Sequence, residues 1–205
     1  MHPKEPEIMK SRIIGGVLAA TTVVAVTAGC SDASTARAAN PTTNPTVTST
    51  LATSDHNVAD VAFVQGMIPH HSQAVTMSGL AATRAASPQV KDLATRIARA
   101  QGPEIQQMIA FLTAWGAPAS GGMTAMSGMP GMMSDQQMSQ LGTAAGSAFD
   151  RTFLQMMTEH HRGAISMAQT ELAQGQNPEA RTLAEKIIAD QQAEIAEMQG
   201  LLAMS

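Results

Sequence analysis

Two pairs of adjacent histidines are the residues of this chain whose types and spacing are best suited to binding a metal ion. Each pair lies in the pattern M-x-x-H-H-x-x-A-x-x-M, first as MIPHHSQAVTM and then as MTEHHRGAISM. Imidazole binds copper, zinc and iron, whereas a thioether selects copper(I), so the mixture favours copper. The candidate ligands are His70, His71, Met67 and Met77 in the first segment, and His160, His161, Met157 and Met167 in the second.

A second interpretation of the same residues needs no metal. Histidines on the inner face of a helix can be core residues whose ring nitrogens bond to acidic side chains across a bundle, and methionine commonly fills gaps in a core. His70 and His160 would then be buried, with His71 and His161 half-exposed. A single pair would favour this interpretation, but two matching pairs with flanking methionines favour metal.

The two segments belong to a longer internal repeat. Residues 60–77 align without a gap on residues 150–167, and residues 87–112 align in the same register on residues 177–202. Similarity at a fixed spacing indicates that one supersecondary unit occurs twice. Besides the histidines, the matched pairs include Asp60/Asp150, Phe63/Phe153, Pro88/Pro178, Gln101/Gln191, Glu104/Glu194 and Met108/Met198.

Each repeat predicts two antiparallel helices. Ser87 and Asn177 are suitable N-caps, and the proline after each is typical of a first helical position. Two such hairpins make an all-α four-helix bundle with pseudo-two-fold symmetry, joined by a long Gly- and Met-rich crossover of the kind that ferritin-like bundles use. The predicted helices span 57–84, 88–115, 146–174 and 178–203, within a bundle at 57–204 made of repeat 1 (57–115), the crossover (116–143) and repeat 2 (146–204).

Four carboxylates share helix faces with apolar residues. Each helical residue advances by 100°, which places Asp60 on the stripe of His70, and Glu104 on the apolar stripe of the following helix. A carboxylate on such a stripe is costly unless it is paired or binds something. We therefore expect these carboxylates to bond to the imidazole rings and to fix the tautomer in which each ring binds a metal. They are Asp60, Asp150, Glu104 and Glu194.

The doubled histidine–methionine motif, each copy ahead of a helix that starts with proline, resembles the bacterial family called domain of unknown function 305. The resemblance covers about residues 57–204 and both copies of the motif. It implies a ferritin-like helical bundle. It also implies a role in copper binding or copper resistance outside the cytoplasm, since some members of the family are secreted or envelope proteins associated with these functions.

The crossover carries a separate signal. Methionines recur there at every third residue among glycine, serine and proline, so core packing explains them poorly. Spaced thioethers of this kind resemble the copper(I)-collecting segments of envelope copper proteins; the alternative is a linker whose methionines are incidental or react with oxidants. The candidate ligands are Met123, Met126, Met129, Met132 and Met133.

The N-terminal region predicts export and lipidation. A charged start is followed by the small, apolar stretch 13–29 and by Cys30, in a context (VTAGC) that resembles a bacterial lipobox. The alternative is an uncleaved membrane anchor with an incidental cysteine. We expect a signal peptide at 1–29, a lipidated Cys30, and a flexible Ser/Thr/Pro-rich tether at 30–56, which places the bundle outside the cytoplasmic membrane.

The composition narrows the possible functions. A net charge of −4 and an aromatic content of 2% exclude the basic, stacking surfaces of nucleic-acid-binding proteins. No catalytic triad, phosphate loop or nucleophilic cysteine is visible. The Glu-x-x-His pairs of di-metal oxidases are also absent, because Met67, Ile68, Met157 and Thr158 stand three residues before the histidines. We therefore expect a non-catalytic, lipid-anchored copper-binding protein with a possible copper-handling partner; the alternatives are an envelope interaction module and, less favoured, an oxidase.

Overall fold

The computed structural model describes residues 55–119 and 128–204. The predicted signal peptide, the lipidation site Cys30 and nearly all of the tether lie outside the described residues. Two methionines of the crossover, Met123 and Met126, lie outside them as well.

The first hairpin consists of α1 (Val58–Arg84) and α2 (Pro88–Trp115). Asn57 caps α1 through a capping box, in which its side chain accepts from the backbone of Asp60 and the Asp60 carboxylate accepts from the backbone of Asn57. Ser87 caps α2, as its position before a proline predicts. Helix α2 ends at Gly116, whose φ of 64° lies in the left-handed region that favours glycine.

The second hairpin repeats this arrangement with α4 (Gly146–Gln174) and α5 (Pro178–Ala203). Asn177 caps α5 in the position that Ser87 occupies before α2. The four long helices therefore begin and end within one residue of the predicted bounds. The crossover contains a further helix that was not predicted, α3 (Asp135–Thr143), which starts with a capping box between Ser134 and Gln137.

The all-α bundle predicted from the sequence is confirmed. Helix α1 packs along α2, α4 packs along α5, and the two hairpins meet mainly through α1 and α4. Methionine contributes much of the apolar core, and several of its side chains are fully buried. No helix in the described part of the chain is both long enough and apolar enough to span a bilayer. The fully buried methionines are Met67, Met77, Met108, Met157 and Met198.

The pseudo-two-fold symmetry is visible in the two buried aspartates. Asp150 on α4 accepts hydrogen bonds from the backbone of Ala86 and Ser87, in the turn between α1 and α2. Asp60 on α1 accepts from the corresponding backbone groups in the turn between α4 and α5, at 176–177. Each hairpin therefore holds the turn of the other.

These contacts correct the roles expected for Asp60 and Asp150. Both share a helix stripe with the histidines, but they lie near the helix N-termini, more than two turns before the imidazoles. Their oxygens are used by buried or part-buried backbone N–H groups that otherwise would lack this acceptor. They stabilise the bundle and do not orient the imidazole rings.

Candidate metal centre

The four histidines of the two motifs lie in the middle of the bundle, and all four are fully buried. His70 on α1 and His160 on α4 meet across the hairpin interface, with ring centroids 3.8 Å apart and ring planes inclined at 44°. Ala74 and Ala164, one turn further along each helix, are fully buried and small enough to leave room for the rings. The structure thus brings together the predicted histidines of both repeats.

The outer histidine of each pair bonds to a glutamate of its own hairpin. His71 Nε2 lies 2.8 Å from Oε2 of Glu104, and His161 Nε2 lies 2.7 Å from Oε2 of Glu194. The contacts predicted for Glu104 and Glu194 are therefore present. His71 and His161 are nonetheless buried rather than half-exposed, because the glutamates cover their outer edges.

The charge state of Glu104 determines which nitrogen of His71 carries the proton. Burial alone would raise the pKa of Glu104, but hydrogen bonds from His71 and Lys186 outweigh burial and lower it below its usual value. An ionised carboxylate can only accept, so Nε2–H of His71 donates to it and a neutral ring keeps Nδ1 unprotonated. Lys186 Nζ donates to the other oxygen of Glu104 at 2.8 Å.

The two central histidines are held neutral. Burial, followed by the neighbouring histidines, lowers the pKa of His70 to about 4, although a hydrogen bond to the Pro130 carbonyl partly opposes this. Burial and the same neighbours put the pKa of His160 well below its usual value. Each ring at neutral pH therefore has one unprotonated nitrogen, the form of imidazole that binds metal.

Several of these ring nitrogens are bare, meaning buried and without a hydrogen-bond partner among residues 55–119 and 128–204. They are Nδ1 of His70, His71 and His161, and both nitrogens of His160. His70 Nε2 lies 3.1 Å from the carbonyl oxygen of Pro130, which can only accept, so its proton is on Nε2. A buried lone pair without a partner is costly, and a cluster of them at one level of a bundle is the arrangement that a soft cation would satisfy.

The predicted methionine ligands lie in two environments. Met67, Met77 and Met157 are fully buried members of the apolar core, so packing accounts for their positions, and their role as ligands stays a prediction. Met167 and Met129 both approach Gly66 of α1. A Cβ placed on Gly66 would be 2.9 Å from Cε of Met167 and 3.5 Å from Sδ of Met129. Met132 is half-buried, and Met133 is buried against the core around Met77 and Met157.

The histidines as they stand do not form a ready-made chelate. Within the two described ranges, no three His, Cys, Asp or Glu side chains are grouped so that they could hold one ion. Two imidazole nitrogens about 2.0 Å from a shared ion would place their ring centroids roughly 4.5–6 Å apart. Because the His70 and His160 centroids are only 3.8 Å apart, the rings must turn or separate before both bind one ion, and thioethers would have to complete the ligand set.

Sequence reasoning missed three contacts at this centre. Lys186 binds Glu104, Pro130 accepts from His70, and the side chain of Gln73 forms two hydrogen bonds with the backbone of Met133. The repeat contained a signal for one of them, since the Gln73 position is occupied by Gly163 in the second copy of an otherwise similar motif.

Comparisons with known proteins agree with the bundle and its motif. The family model for DUF305, a domain of unknown function, matches residues 60–202. A DUF305 protein from Streptomyces coelicolor, described as a candidate secreted protein, superposes with a TM-score of 0.67 at 38% identity over 71% of this chain and 93% of that chain. An uncharacterized protein of Acanthamoeba polyphaga mimivirus is 44% identical over 55 residues, which are 27% of this chain and only 36% of that protein's length.

A third relative has been solved with metal. The protein CopM in its Cu(I)-bound form superposes with a TM-score of 0.59 at 32% identity, over 69% of this chain and 94% of that chain. Its Cu(II)-bound form gives a TM-score of 0.62 at 35% identity, over 70% and 95% respectively. CopM has also been solved with silver bound and without metal.

Proposed function

The chain belongs to the DUF305 family, and from that premise we propose that it is a non-catalytic copper-binding protein whose cargo is copper(I), held by the histidines of the bundle together with thioethers. The observation that carries the proposal is the group of bare imidazole nitrogens buried where α1 meets α4. The copper- and silver-bound forms of CopM, at 31–35% identity, support it.

The donor set favours a monovalent, soft ion. The central rings are neutral, because burial lowers the pKa of both His70 and His160, and the thioethers of Met67 and Met157 are neutral too. The desolvation cost of an ion rises with the square of its charge, so copper(I) is accommodated in such a site more easily than a divalent ion. Thioether ligands select copper(I) for the same chemical reason.

The carboxylates of the site bond to the imidazole rings. Glu104 and Glu194 each accept from Nε2–H of a histidine, which leaves Nδ1 for the cargo and makes the ring a stronger donor. A di-metal oxidase would need carboxylates that bind the ions themselves, whereas Glu104 and Glu194 are bonded to imidazole rings. This arrangement supports binding and release of an ion rather than turnover.

We also propose that the bundle is attached to the outer face of the cell membrane by a lipid on Cys30. The proposal is supported by the charged start, the apolar stretch and the small residues before this single cysteine. A tethered copper-binding bundle would sequester the ion at the membrane surface or pass it to a copper-handling partner. The methionines of the crossover, Met123, Met126, Met129 and Met132 among them, would collect the ion from solution.

The test is an anaerobic titration of the full chain with copper(I) against a competing chelator. Its variants are a His70/His71/His160/His161 quadruple Gln variant and a deletion of 120–127, which removes Met123 and Met126. We expect tight binding in the wild type and loss of the tightest site in the quadruple variant. The deletion should keep that site but take up copper(I) more slowly when uptake is followed with time.

Affinity no better than that of an unstructured His/Met peptide, and equal in all three proteins, would contradict the copper proposal. The histidines would then be core residues of an envelope interaction module. Circular dichroism of each variant without metal is the control, because the quadruple substitution changes four buried side chains.

A further inference from the structure

We infer that Gln73 and Gly163 are positioning residues that seat one segment of the crossover over the histidine pair and thereby determine which nitrogen of His70 is bare. This segment, residues 128–134, is called the strap. The inference rests on the proposed function only for the identity of the cargo, a soft monovalent ion. The contacts of Gln73 and Gly163 with the strap are together called the seat, and all of them join described residues.

Gln73 clamps one end of the strap. Its side-chain Nε2 donates to the carbonyl oxygen of Met133 at 2.9 Å, and its Oε1 accepts from the backbone N–H of the same residue at 2.7 Å. The amide of Gln73 thus satisfies both backbone groups of one strap residue, as a neighbouring β-strand would. Met133 is thereby fixed against the core beside Met77 and Met157.

Gly163 lets the other part of the strap lie directly on α4. A Cβ at this position would come within 2.0 Å of the Pro130 carbonyl oxygen and 2.6 Å of the Gly131 Cα. Gly131 has a φ of 78°, and its own Cβ would come within 2.8 Å of the carbonyl oxygens of Glu159 and His160. Two glycines are therefore needed for backbone to pass over backbone here.

Positions 73 and 163 are the same position of the repeat, two residues after the second histidine of each motif. Matching roles would have placed the same residue type at both. One copy instead supplies an amide long enough to hold the strap, and the other supplies the space in which the strap lies. This division explains why positions 73 and 163 differ, although the two histidines before them are shared by both copies.

The seated strap acts on His70. It holds the Pro130 carbonyl 3.1 Å from Nε2 of His70, so the proton stays on Nε2 and Nδ1 is the bare nitrogen. It also places Sδ of Met129 near Gly66 of α1, which Cε of Met167 approaches as well. Seating the strap therefore fixes the donor atom of His70, and brings a thioether of the crossover to the surface of α1 one turn before His70.

The test compares two substitutions with two matched controls in the full chain. Gln73→Ala removes the clamp, and Gly163→Ala places a methyl group against Pro130. Gln106→Ala changes an exposed glutamine of α2, and Gly79→Ala adds a methyl group to a helical glycine with nothing within 4 Å. A further variant, Gln73→Glu, keeps the acceptor for Met133 N–H but removes the donor.

Two measurements are made on each protein. Long-range proton–nitrogen NMR of the metal-free chain reports the tautomer of His70, and stopped-flow transfer of silver(I) to a chelator reports release. We expect Gln73→Ala and Gly163→Ala to mix the two tautomers of His70 and to release silver(I) about 10-fold faster or more. Gln73→Glu sets a carboxylate oxygen against the Met133 carbonyl oxygen and should release silver(I) at least as fast as Gln73→Ala, whereas both controls should match wild type.

The two proposals fail in different ways. If no protein binds silver(I) or copper(I) tightly, but Gln73→Ala still mixes the tautomers of His70, the copper proposal fails and the seat stands. If the wild type binds tightly, and Gln73→Ala and Gly163→Ala keep both the Nε2–H tautomer and the wild-type release rate, the inference about the seat is overturned.

Discussion

The two repeats place their histidines in the same way but surround them differently. In the first, His70 donates to a backbone carbonyl, and the glutamate behind His71 is also bound by Lys186. In the second, His160 has no hydrogen-bond partner and Glu194 has no bonded lysine or arginine, as far as the described residues extend. The second copy is therefore the less constrained half of the centre.

This difference has a physical origin in single positions of the repeat. Shared positions, such as the two histidine pairs and the two glutamates, give the symmetric contacts. Divergent positions, such as Gln73 against Gly163, give the asymmetric ones. A duplicated bundle can therefore keep the fold of both halves while one half holds the crossover through a side chain and the other receives it against its backbone.

The largest effect is expected where the repeats agree. Asp150→Ala leaves the part-buried backbone N–H groups of Ala86 and Ser87 without their carboxylate acceptor. We expect a loss of about 2–4 kcal/mol in the free energy of unfolding, since hydrogen bonds to charged groups are among the strongest. Urea unfolding followed by circular dichroism measures it. Asp150→Asn, which keeps one oxygen acceptor, should cost less; an equal loss in both variants would contradict the hydrogen-bond explanation.

An intermediate effect is expected at a divergent position, Glu171 in the second repeat, where the first has Ala81. Burial, together with a hydrogen bond to Asp60 and its charge, raises the pKa of Glu171 to about 8, and Arg181 only partly offsets this. The folded protein therefore holds a proton that the unfolded chain releases near pH 4.5. The contribution of this group to stability is complete below about pH 4.5 and declines as the pH rises towards 8.

Glu171→Gln keeps a donor for Asp60 and removes the titration. We expect the variant to be about 2 kcal/mol more stable than wild type at pH 9, with the gain shrinking towards pH 5. Unfolding free energies measured across this pH range test the prediction. The matched control is Glu185→Gln, at an exposed site of α5, which should give no such trend. A gain that is independent of pH would contradict the shared proton.

The sequence was sufficient for what depends on local pattern. Caps, prolines and apolar periodicity predicted the four long helices, and the repeat predicted a histidine pair on the inner face of each hairpin. Whether the two pairs would meet at one site was left open by the sequence. It also predicted the bonds of Glu104 and Glu194, because a glutamate on an apolar stripe needs a partner at the level of the histidines. The short helix α3 was missed because its nine residues lie within a Gly- and Met-rich segment, although SDQQ contains its capping box.

The errors concern side chains whose partners are backbone groups far away in the chain. Asp60 was assigned to an imidazole, yet Asn57 three residues earlier is the capping-box signal that places it at a helix start. Pro130 and Gln73 could not be assigned, because a helical pattern gives no information on where a crossover returns to the bundle. Hydrophobic periodicity positions helices relative to the core, and it does not position loops.

The smallest effect is expected from the cation that distinguishes the two glutamates. Lys186→Met keeps the apolar stem of the side chain but removes the positive charge that bonds to Glu104. Because Lys186 is half-exposed, we expect a loss in the free energy of unfolding below about 1 kcal/mol. The local electrostatic effect should be clearer, because the pKa of Glu104 rises when the hydrogen bond from Lys186 is lost. Carboxyl NMR titration of Glu104 measures this rise.

The matched control for Lys186→Met is Arg96→Met, at the equivalent position of the first repeat. Arg96 bonds to Glu197 and Asp92 rather than to Glu104, so its removal should leave the pKa of Glu104 unchanged. A rise in the pKa of Glu104 in Arg96→Met, as large as that in Lys186→Met, would mean that the overall charge of the bundle, and not the bond from Lys186, lowers this pKa. The bond from Lys186 would then make no difference between the two copies, and only the strap would distinguish His70 from His160.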